Sequence, residues 1–305
     1  MSVYSFLFII LQNNVGLILI DNSEFMSVHS KNLPMKLTHE QIGELGLYDF
    51  LGYIGSMNQT TFGGRQGTQK LFEQLNLTEL SKNKPISILE VGCSIGYVTF
   101  NIAQNLNCNI TGVDISEILI EKAKEKQRKI SLDNVHFQVA DARNLPFEDN
   151  TFDVVFAQAL VALLSEKHLC LKEFLRVVKP GGKIGTLDAF AKEYTSPKTL
   201  DEINNTMSAV MGHDISVLAL SEWKTIFEKN TLSEIKISEN YDSVFKTTTP
   251  LKEVIPAMLR LLYHMIINRK IRRKLIPIFK LAKKMMNEKS ELRKKLGYLI
   301  FTGEK

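Results

Sequence analysis

A short apolar run that ends in a glycine-containing turn constrains this chain more than any other feature. Residues Ile86 to Val91 are followed by Gly92-Cys-Ser-Ile-Gly96, and a helical pattern begins at Tyr97. Glycine at such a turn lets the backbone reverse sharply and lets a ligand approach without intervening side chains. Free N–H groups at the start of the next helix point towards that ligand. By itself the segment predicts one strand–turn–helix unit, because tight turns of this kind occur in many α/β proteins.

Strand and helix patterns alternate at short intervals around this unit. The strand patterns cover 86–91, 109–113, 135–140, 152–156 and 183–187, and the helical patterns cover 97–106, 116–130 and 166–178. Ser116 is a favourable N-cap for the long central helix, and the Lys-Pro-Gly-Gly segment at 179–182 closes the last one. Alternation of this kind predicts an α/β fold with a parallel sheet.

The flanking segments carry different patterns. Before the core, 38–77 is helical in pattern around a glycine pair at 63–64, and after it 222–229 reads as a helix and 234–241 as a strand. We therefore divide the chain into an uncertain N-terminal extension (1–34), a helical lid (35–84), a core (85–241), a basic helical cap (242–296) and a final core strand (297–305). If that last strand joins the sheet, the cap is an insertion before it.

Charge is unevenly distributed along the chain. The formal net charge is +5, yet 14 Lys and Arg lie between 251 and 297 against three Glu, so the rest of the chain is acidic. Three interpretations of 251–297 remain open: a cap helix with a solvated lysine face, which the pattern favours, peripheral contact with a membrane surface, or nucleic-acid binding, which is disfavoured.

The first 34 residues say little about function. Two apolar runs, 3–11 and 15–20, are interrupted by Gln-Asn-Asn and fall short of a spanning helix of ~20 apolar residues. No positive n-region or small-residue cleavage site marks a signal peptide. A non-native start, a packed strand hairpin and a membrane anchor are the alternatives.

The number and spacing of the cysteines argue against a disulfide framework and against a structural zinc site. Cys93, Cys108 and Cys170 form no CxxC pair and have no zinc-like spacing to histidine. A sparse, odd count is typical of a reducing compartment rather than a disulfide framework, so we expect a cytoplasmic protein without structural metal.

Two aspartates follow the next two strands in a way that extends the glycine turn. Asp114 ends the second strand, where a carboxylate can accept hydrogen bonds from both hydroxyls of a ribose. Asp141 ends the third strand, where an adenine amino group could be met. The carboxyl ends of adjacent parallel strands form the crevice in which open α/β sheets bind ligands. The glycine turn, Asp114 and Asp141 follow three strands of the same sheet at their carboxyl ends, and together they predict one binding site.

Taken together, these segments resemble the successive motifs of class I S-adenosylmethionine (SAM)-dependent methyltransferases, above all the small-molecule branch with ubiquinone/menaquinone and sterol methyltransferases. The matching segments are Glu90 to Gly96, Asp114, Ala140 to Ala142, Phe152 to Phe156 and Arg176 to Gly182. The resemblance implies a Rossmann-like, seven-stranded methyltransferase sheet flanked by helices, with an antiparallel last strand. It also implies SAM as cofactor.

The resemblance assigns roles to individual residues. Glu90 would act through the first turn on the methionine ammonium, Asp114 would bind the ribose, and Asp141 the adenine amino group. The complete set of implied cofactor-binding residues is Glu90, Gly92, Cys93, Ser94, Gly96, Asp114, Ile115, Asp141, Ala142, Ala157 and Gln158. Ser94 departs from the pattern, because the middle position of the turn is usually glycine, and this puts close backbone approach there in doubt.

The acceptor is predicted by elimination. Ala157-Gln-Ala-Leu160 lacks the Asn/Asp-Pro-Pro-aromatic motif of amino-directed nucleic-acid methyltransferases, and no paired-glutamate loop typical of protein-arginine enzymes is present. A small organic acceptor is therefore favoured. A lipid or isoprenoid-quinone acceptor at a membrane surface is the alternative, and a non-catalytic SAM-binding regulatory or scaffold protein is the rival class.

The catalytic base stays unassigned. Methyl transfer from a sulfonium depends mainly on in-line proximity, and a base is needed only if the acceptor must lose a proton. The candidates are Tyr53, His168, Asp188 and His213.

Overall fold

Seven strands form one mixed sheet in the computed structural model of the chain, in the order β3-β2-β1-β4-β5-β7-β6. The strands are β1 Ile86–Val91, β2 Cys108–Asp114, β3 Val135–Val139, β4 Phe152–Gln158, β5 Val178–Ala191, β6 Ser233–Asn240 and β7 Leu296–Glu304. Strand β7 pairs antiparallel with both β5 and β6, and the other pairings are parallel. The structure describes residues 37–55, 61–211, 214–228, 232–241, 251–286 and 294–305.

Helices cover both faces of the sheet and add a separate helical layer. They are α1 His39–Glu44, α2 Leu47–Tyr53, α3 Gly64–Leu75, α4 Leu77–Leu80, α5 Tyr97–Asn105, α6 Glu117–Ile130, α7 Lys167–Val177, α8 Pro197–Met211, α9 Leu220–Glu228, α10 Leu251–Ile267 and α11 Arg269–Met286. A 3-10 turn spans Val161–Leu163. This arrangement confirms the predicted α/β methyltransferase-type fold, including a helical insertion before the last strand.

Two apolar cores fix the sheet between its helices. On one face α3, α5 and α6 pack Leu71, Phe100 and Ile120 against the apolar side chains of β1 and β4. On the other face α7 and α9 pack Phe174 and Trp223 against the sheet. Because both faces of the central strands are covered, their sequences are apolar throughout rather than alternating.

A third apolar cluster joins the first helices of the chain to the last ones. Phe50 and Tyr53 on α2 are buried together with Leu261 on α10 and with Leu275 and Phe279 on α11. Polar contacts reinforce the junction: Lys270 Nζ lies 2.5 Å from Glu44 Oε1, and Asn268 Nδ2 donates to His39 O at 2.6 Å. The lid and the cap thus pack as one layer.

Strand β5 is longer than its pattern predicts. It begins at Val178 rather than Lys183, so the Lys-Pro-Gly-Gly segment lies within the strand. Pairing with the end of the chain explains this, because Gly181 N–H donates to Lys305 O at 2.8 Å and Lys305 N–H donates to Gly182 O at 3.0 Å. Helix α8 was not predicted. The N-terminal extension 1–34 and His213 lie outside the described residues.

The described helices include none with the length and apolarity needed to cross a membrane.

Candidate functional site

The glycine turn after β1 has the backbone geometry that its sequence predicts. Gly92 and Gly96 adopt φ angles of +78° and +74°, a left-handed conformation that favours glycine. A Cβ on Gly96 would lie 2.6 Å from Cζ of Phe137, so no larger residue fits there. The N–H groups of Gly92 and Cys93 donate to Val113 O at 2.8 and 2.9 Å, which ties the turn to the end of β2.

Asp114 is the centre of a hydrogen-bond network at this turn. Its Oδ2 accepts from Ser94 N–H at 2.9 Å and its Oδ1 accepts from Ser116 N–H at 3.0 Å. The side chain is buried, and burial raises the pKa of the carboxyl despite these hydrogen bonds. Each carboxylate oxygen has a second lone pair, so the group can still accept hydrogen bonds from a diol.

Ser94 takes the left-handed conformation that glycine would occupy, with φ at +52°. Its N–H binds Asp114, while its Oγ is buried without a hydrogen-bond partner in the described structure. The departure from the usual pattern therefore keeps the backbone contact and adds one orphaned hydroxyl.

Glu90 lies beneath the turn. Its Oε2 accepts from Thr99 Oγ1 at 2.5 Å, and burial raises its pKa to about 8. At neutral pH the group is therefore mostly protonated in the free protein, and a nearby cation would favour its ionised form. The Cys93 thiol is also buried, which raises its pKa well above the usual value, so this sulfur is not a nucleophile.

Asp141 lies at the rim of the crevice and is already paired. It accepts from Arg143 Nη2 at 2.7 Å and from Arg143 Nε, and this hydrogen bonding lowers its pKa. Arg143 also reaches Glu166 at 3.0 Å. Ala140 N–H donates to Asp114 O at 3.0 Å, which brings the β2 and β3 ends together.

Two apolar residues complete the set at this rim. Ile115 directly follows Asp114 and is 67% exposed, whereas Ala142 is buried. An isoleucine side chain left in water beside a buried carboxylate is a surface that a flat aromatic ring could cover.

The end of β4 carries the last two predicted residues. Ala157 is fully buried, and Gln158 Oε1 accepts from Thr68 Oγ1 on α3 at 2.6 Å. Thr68 Oγ1 lies 3.3 Å from Thr61 Oγ1, so the lid determines how the amide is oriented. Gln158 Nε2 is buried and has no hydrogen-bond partner in the described structure. Such an orphaned donor is costly unless a ligand or water accepts from it.

Asp188 belongs to the opposite face of β5. It is fully buried, accepts from Ala162 N–H at 3.1 Å, and has a pKa raised by burial to about 7. Lys167 attracts this carboxylate, and burial lowers the pKa of Lys167 to about 8. The carboxylate thus holds the 3-10 turn after β4 through Oδ1, while Oδ2 is buried without a hydrogen-bond partner among the described residues.

The other candidate bases are not gathered at the site. His168 is exposed on α7. Tyr53 is buried between the lid and the cap, where burial raises its pKa. Residues 157–164 contain one polar side chain, Gln158, and no titratable one. Within the described ranges no group of three or more His, Cys, Asp or Glu could hold a metal ion.

Two lid residues that the sequence analysis did not identify, Tyr48 and Asp49, also interact with residues of the site. Asp49 Oδ1 accepts from Ser116 Oγ at 2.5 Å. Tyr48 interacts with Asp114 and Ser94, and burial followed by the charge of Asp114 raises the pKa of Tyr48 well above its usual value. Both residues look like ordinary members of a short helix, so only the docking of α2 on α6 shows their position.

Comparison with known sequences agrees with this geometry. A family model described as a methyltransferase domain matches residues 82–246. Phosphoethanolamine N-methyltransferase 1 of Arabidopsis thaliana is 32% identical over 122 residues, which cover 40% of this chain and 24% of that protein. Methyltransferase GfsG of Streptomyces halstedii is 26% identical over 183 residues, covering 55% of this chain and 64% of that one. The match thus spans less than two thirds of either relative.

Solved structures share the fold. The [4+2]-cyclase SpnF superposes with a TM-score of 0.64 and 20% identity, covering 88% of this chain and 97% of that one. A Haemonchus contortus phosphoethanolamine N-methyltransferase 2 in complex with SAM has a TM-score of 0.58 and 18% identity, covering 94% and 60%.

Proposed function

Because the chain belongs to the methyltransferase-domain family, we propose that it transfers a methyl group from its cofactor, SAM, to a small organic acceptor and releases S-adenosylhomocysteine. The observation that carries the proposal is the buried Asp114 carboxylate, held by the backbone N–H of Ser94 in the turn after β1 and by that of Ser116 before α6. Fold alone would not suffice, since one neighbour of the same fold is a [4+2]-cyclase.

The residues at the first turn fit the cofactor. Asp114 would bind the ribose hydroxyls, and Gly92 and Gly96 leave space for close approach of the methionine part. Glu90, lying beneath the turn, would favour the cationic ammonium through its electrostatic field. The cofactor supplies an electrophilic methyl group when bound. The protein provides orientation and excludes water, and these effects account for much of the rate of such a transfer.

The rim residues would bind the adenine. Ile115 and Ala142 provide apolar surface for the ring. Asp141 is held by Arg143, so it would contribute a weaker hydrogen bond to the amino group than a free carboxylate.

Gln158 would orient the acceptor. Thr68 occupies the amide oxygen, so the buried NH2 group is left to donate. Such a donor suits an acceptor that presents an oxygen or nitrogen lone pair next to Ala157. Residues 157–164 hold no titratable side chain, which favours an acceptor that needs no deprotonation by this segment.

Peripheral membrane contact through 251–297 is the alternative we carry. Part of the apolar face of this segment is not available to a membrane, because Phe279 and Leu275 of α11 are buried against α1 and α2. Basic residues Arg269, Arg272, Arg273 and Lys280 remain exposed. We also propose that the protein is located in the cytoplasm.

The experiment is calorimetry of the full chain with SAM and S-adenosylhomocysteine, followed by an acceptor screen that measures S-adenosylhomocysteine formation. We expect about micromolar binding of both and turnover with one class among small amines, phenols, quinones and lipids. A folded protein that binds neither would contradict the proposal. Binding without transfer to any class would favour the non-catalytic SAM-binding role.

A further inference from the structure

A cluster of basic side chains lies where the lid, the cap and helix α6 meet. We define the junction cluster as Arg260 and His264 on α10, Lys122 on α6 and Tyr53 at the end of α2. Arg260 Nη2 donates to Gly55 O at 3.2 Å. Lys122 Nζ lies 4.9 Å from the centroid of the Tyr53 ring, and the His264 ring centroid is 6.4 Å from the same ring.

The cations in this cluster have no anionic partner in the part of the chain that the structure describes. Among the described residues, neither Arg260 nor Lys122 makes an ion pair, whereas Lys270 and Arg143 each bind a carboxylate. Arg260 Nε is buried without an acceptor, and so is Nδ1 of His264. Glu125, the one carboxylate that acts on Lys122, is paired with Lys129 at 2.8 Å.

The two cations also destabilise one another. Burial lowers the pKa of both Arg260 and Lys122, and the charge of Arg260 lowers the pKa of Lys122 further. Two half-buried positive charges without a counter-charge cost the folded protein free energy, and an anion between them would remove that cost.

We propose that the junction cluster binds a phosphate-type oxyanion. A guanidinium with Nε unbound can donate in a fork, a lysine adds a point charge, and an imidazole N–H can supply a third donor. These donors come from two helices, α6 and α10. A tetrahedral anion with three or four oxygens satisfies them better than a planar carboxylate with two.

Anion binding here would strengthen binding of SAM. Helix α2 ends at the junction cluster, and earlier in the same helix Asp49 accepts a hydrogen bond from Ser116 Oγ and Tyr48 interacts electrostatically with Asp114. An anion that joins α10 to α6 across the end of α2 therefore holds the lid on the cofactor site. Coupling between two sites is reciprocal, so SAM must strengthen anion binding by the same factor.

The test is calorimetry of the full chain with inorganic phosphate and with O-phosphoethanolamine, in the absence and presence of SAM. Arg260→Gln and Lys122→Gln are compared with Arg272→Gln, which removes an exposed arginine from α11. We expect each junction variant to weaken phosphate binding at least ~10-fold, as for loss of a charge-assisted hydrogen bond. Arg272→Gln should bind phosphate as the wild type does, and phosphate should tighten SAM binding in the wild type and in Arg272→Gln but not in the junction variants.

A second experiment distinguishes a lipid headgroup from a soluble phosphate as the source of the anion. It measures co-sedimentation of the protein with phosphatidylcholine vesicles that contain or lack phosphatidylglycerol. Binding of the phosphatidylglycerol vesicles that is lost in Arg260→Gln but kept in Arg272→Gln supports the site and assigns it to lipid headgroups. Phosphate binding without vesicle binding assigns it to a soluble phosphate.

Equal phosphate binding by the wild type and both junction variants would overturn the proposal. Equal weakening by Arg272→Gln would also do so, because it would indicate general charge screening. Thermal unfolding checks that each variant is folded. If Arg260→Gln does not fold, phosphate binding by Lys122→Gln tests the proposal. SAM binding without phosphate tests the proposed function separately, so the two failures are distinguishable.

Discussion

The two halves of the crevice differ in how completely their polar groups are satisfied. At the ends of β1 and β2, Asp114 and Glu90 are buried and hydrogen-bonded within the protein. At the end of β4, Gln158 retains a buried donor without a partner. The carboxylates of the first half are thus ordered before a ligand binds, although Ser94 Oγ there has no hydrogen-bond partner among the described residues. The amide of the second half is satisfied only when a ligand or water accepts from it.

This difference has a physical reason. A cofactor shared by a whole family can be bound by backbone turns and short carboxylates, which any α/β sheet can place at its carboxyl edge. The acceptor differs from one enzyme to the next, so its site depends on side chains brought in by the lid. Here α3 supplies Thr68, which donates a hydrogen bond to Gln158.

The largest expected effect comes from removing the centre of the satisfied half. Asp114→Ala should weaken SAM binding ~10- to 100-fold, since it removes charge-assisted hydrogen bonds in a buried site. Asp141→Ala is the matched control at the rim, where Arg143 already neutralises the carboxylate, and it should weaken binding less. Calorimetry with SAM measures both. Equal losses would mean that burial does not distinguish the two aspartates.

The next effect should appear in the other half. Gln158→Leu should raise the acceptor KM or lower kcat by ~10-fold, because the buried donor to the acceptor is lost. Thr68→Val keeps the donor but frees its orientation, so we expect a smaller change in the same direction. Steady-state kinetics, with SAM affinity measured in parallel, checks this. A drop in SAM affinity equal to the loss in kcat/KM would show that the halves are not separate.

The smallest effect is a pH dependence in the satisfied half. The folded-state pKa of Glu90, about 8, lies above its ordinary value of 4.5, so its ionisation costs the free protein stability as pH rises through that interval. A bound cation favours the ionised form. SAM binding near pH 7 should therefore release protons and strengthen between pH 6 and 7.

Calorimetry in PIPES and in imidazole, whose ionisation enthalpies differ, counts the protons released. Glu90→Gln should remove both the release and the pH dependence. Identical proton release by the variant would place its source elsewhere.

Much of this molecule was predictable because the relevant forces are local. The turn at Gly92 and Gly96 requires left-handed backbone, so glycine identifies it. Buried parallel strands need continuous apolar runs, and Ser116 caps its helix through a hydrogen bond three residues along the chain. These features placed the order of the central elements and the two aspartates at the sheet edge.

Contacts between distant segments could not be predicted in the same way. The start of β5 at Val178 depends on pairing with Lys305, and the hydrogen bond from Ala162 N–H to Asp188 joins the turn after β4 to β5. The lid residues Tyr48 and Asp49 become site residues only when α2 docks on α6.

The α/β core, the glycine turn and the carboxylates that follow its strands can be predicted from the amino-acid sequence, because short-range sterics, capping and periodicity encode them within a few residues. Packing between distant segments determines which helices cover the crevice and which way the Gln158 amide points. It also brings Arg260 within electrostatic range of Lys122, with no ion-pair partner for either among the described residues. These outcomes depend on packing between segments that are far apart in the chain. Lys122 and Arg260, for example, are more than 100 residues apart, and no local sequence pattern predicts that they come close.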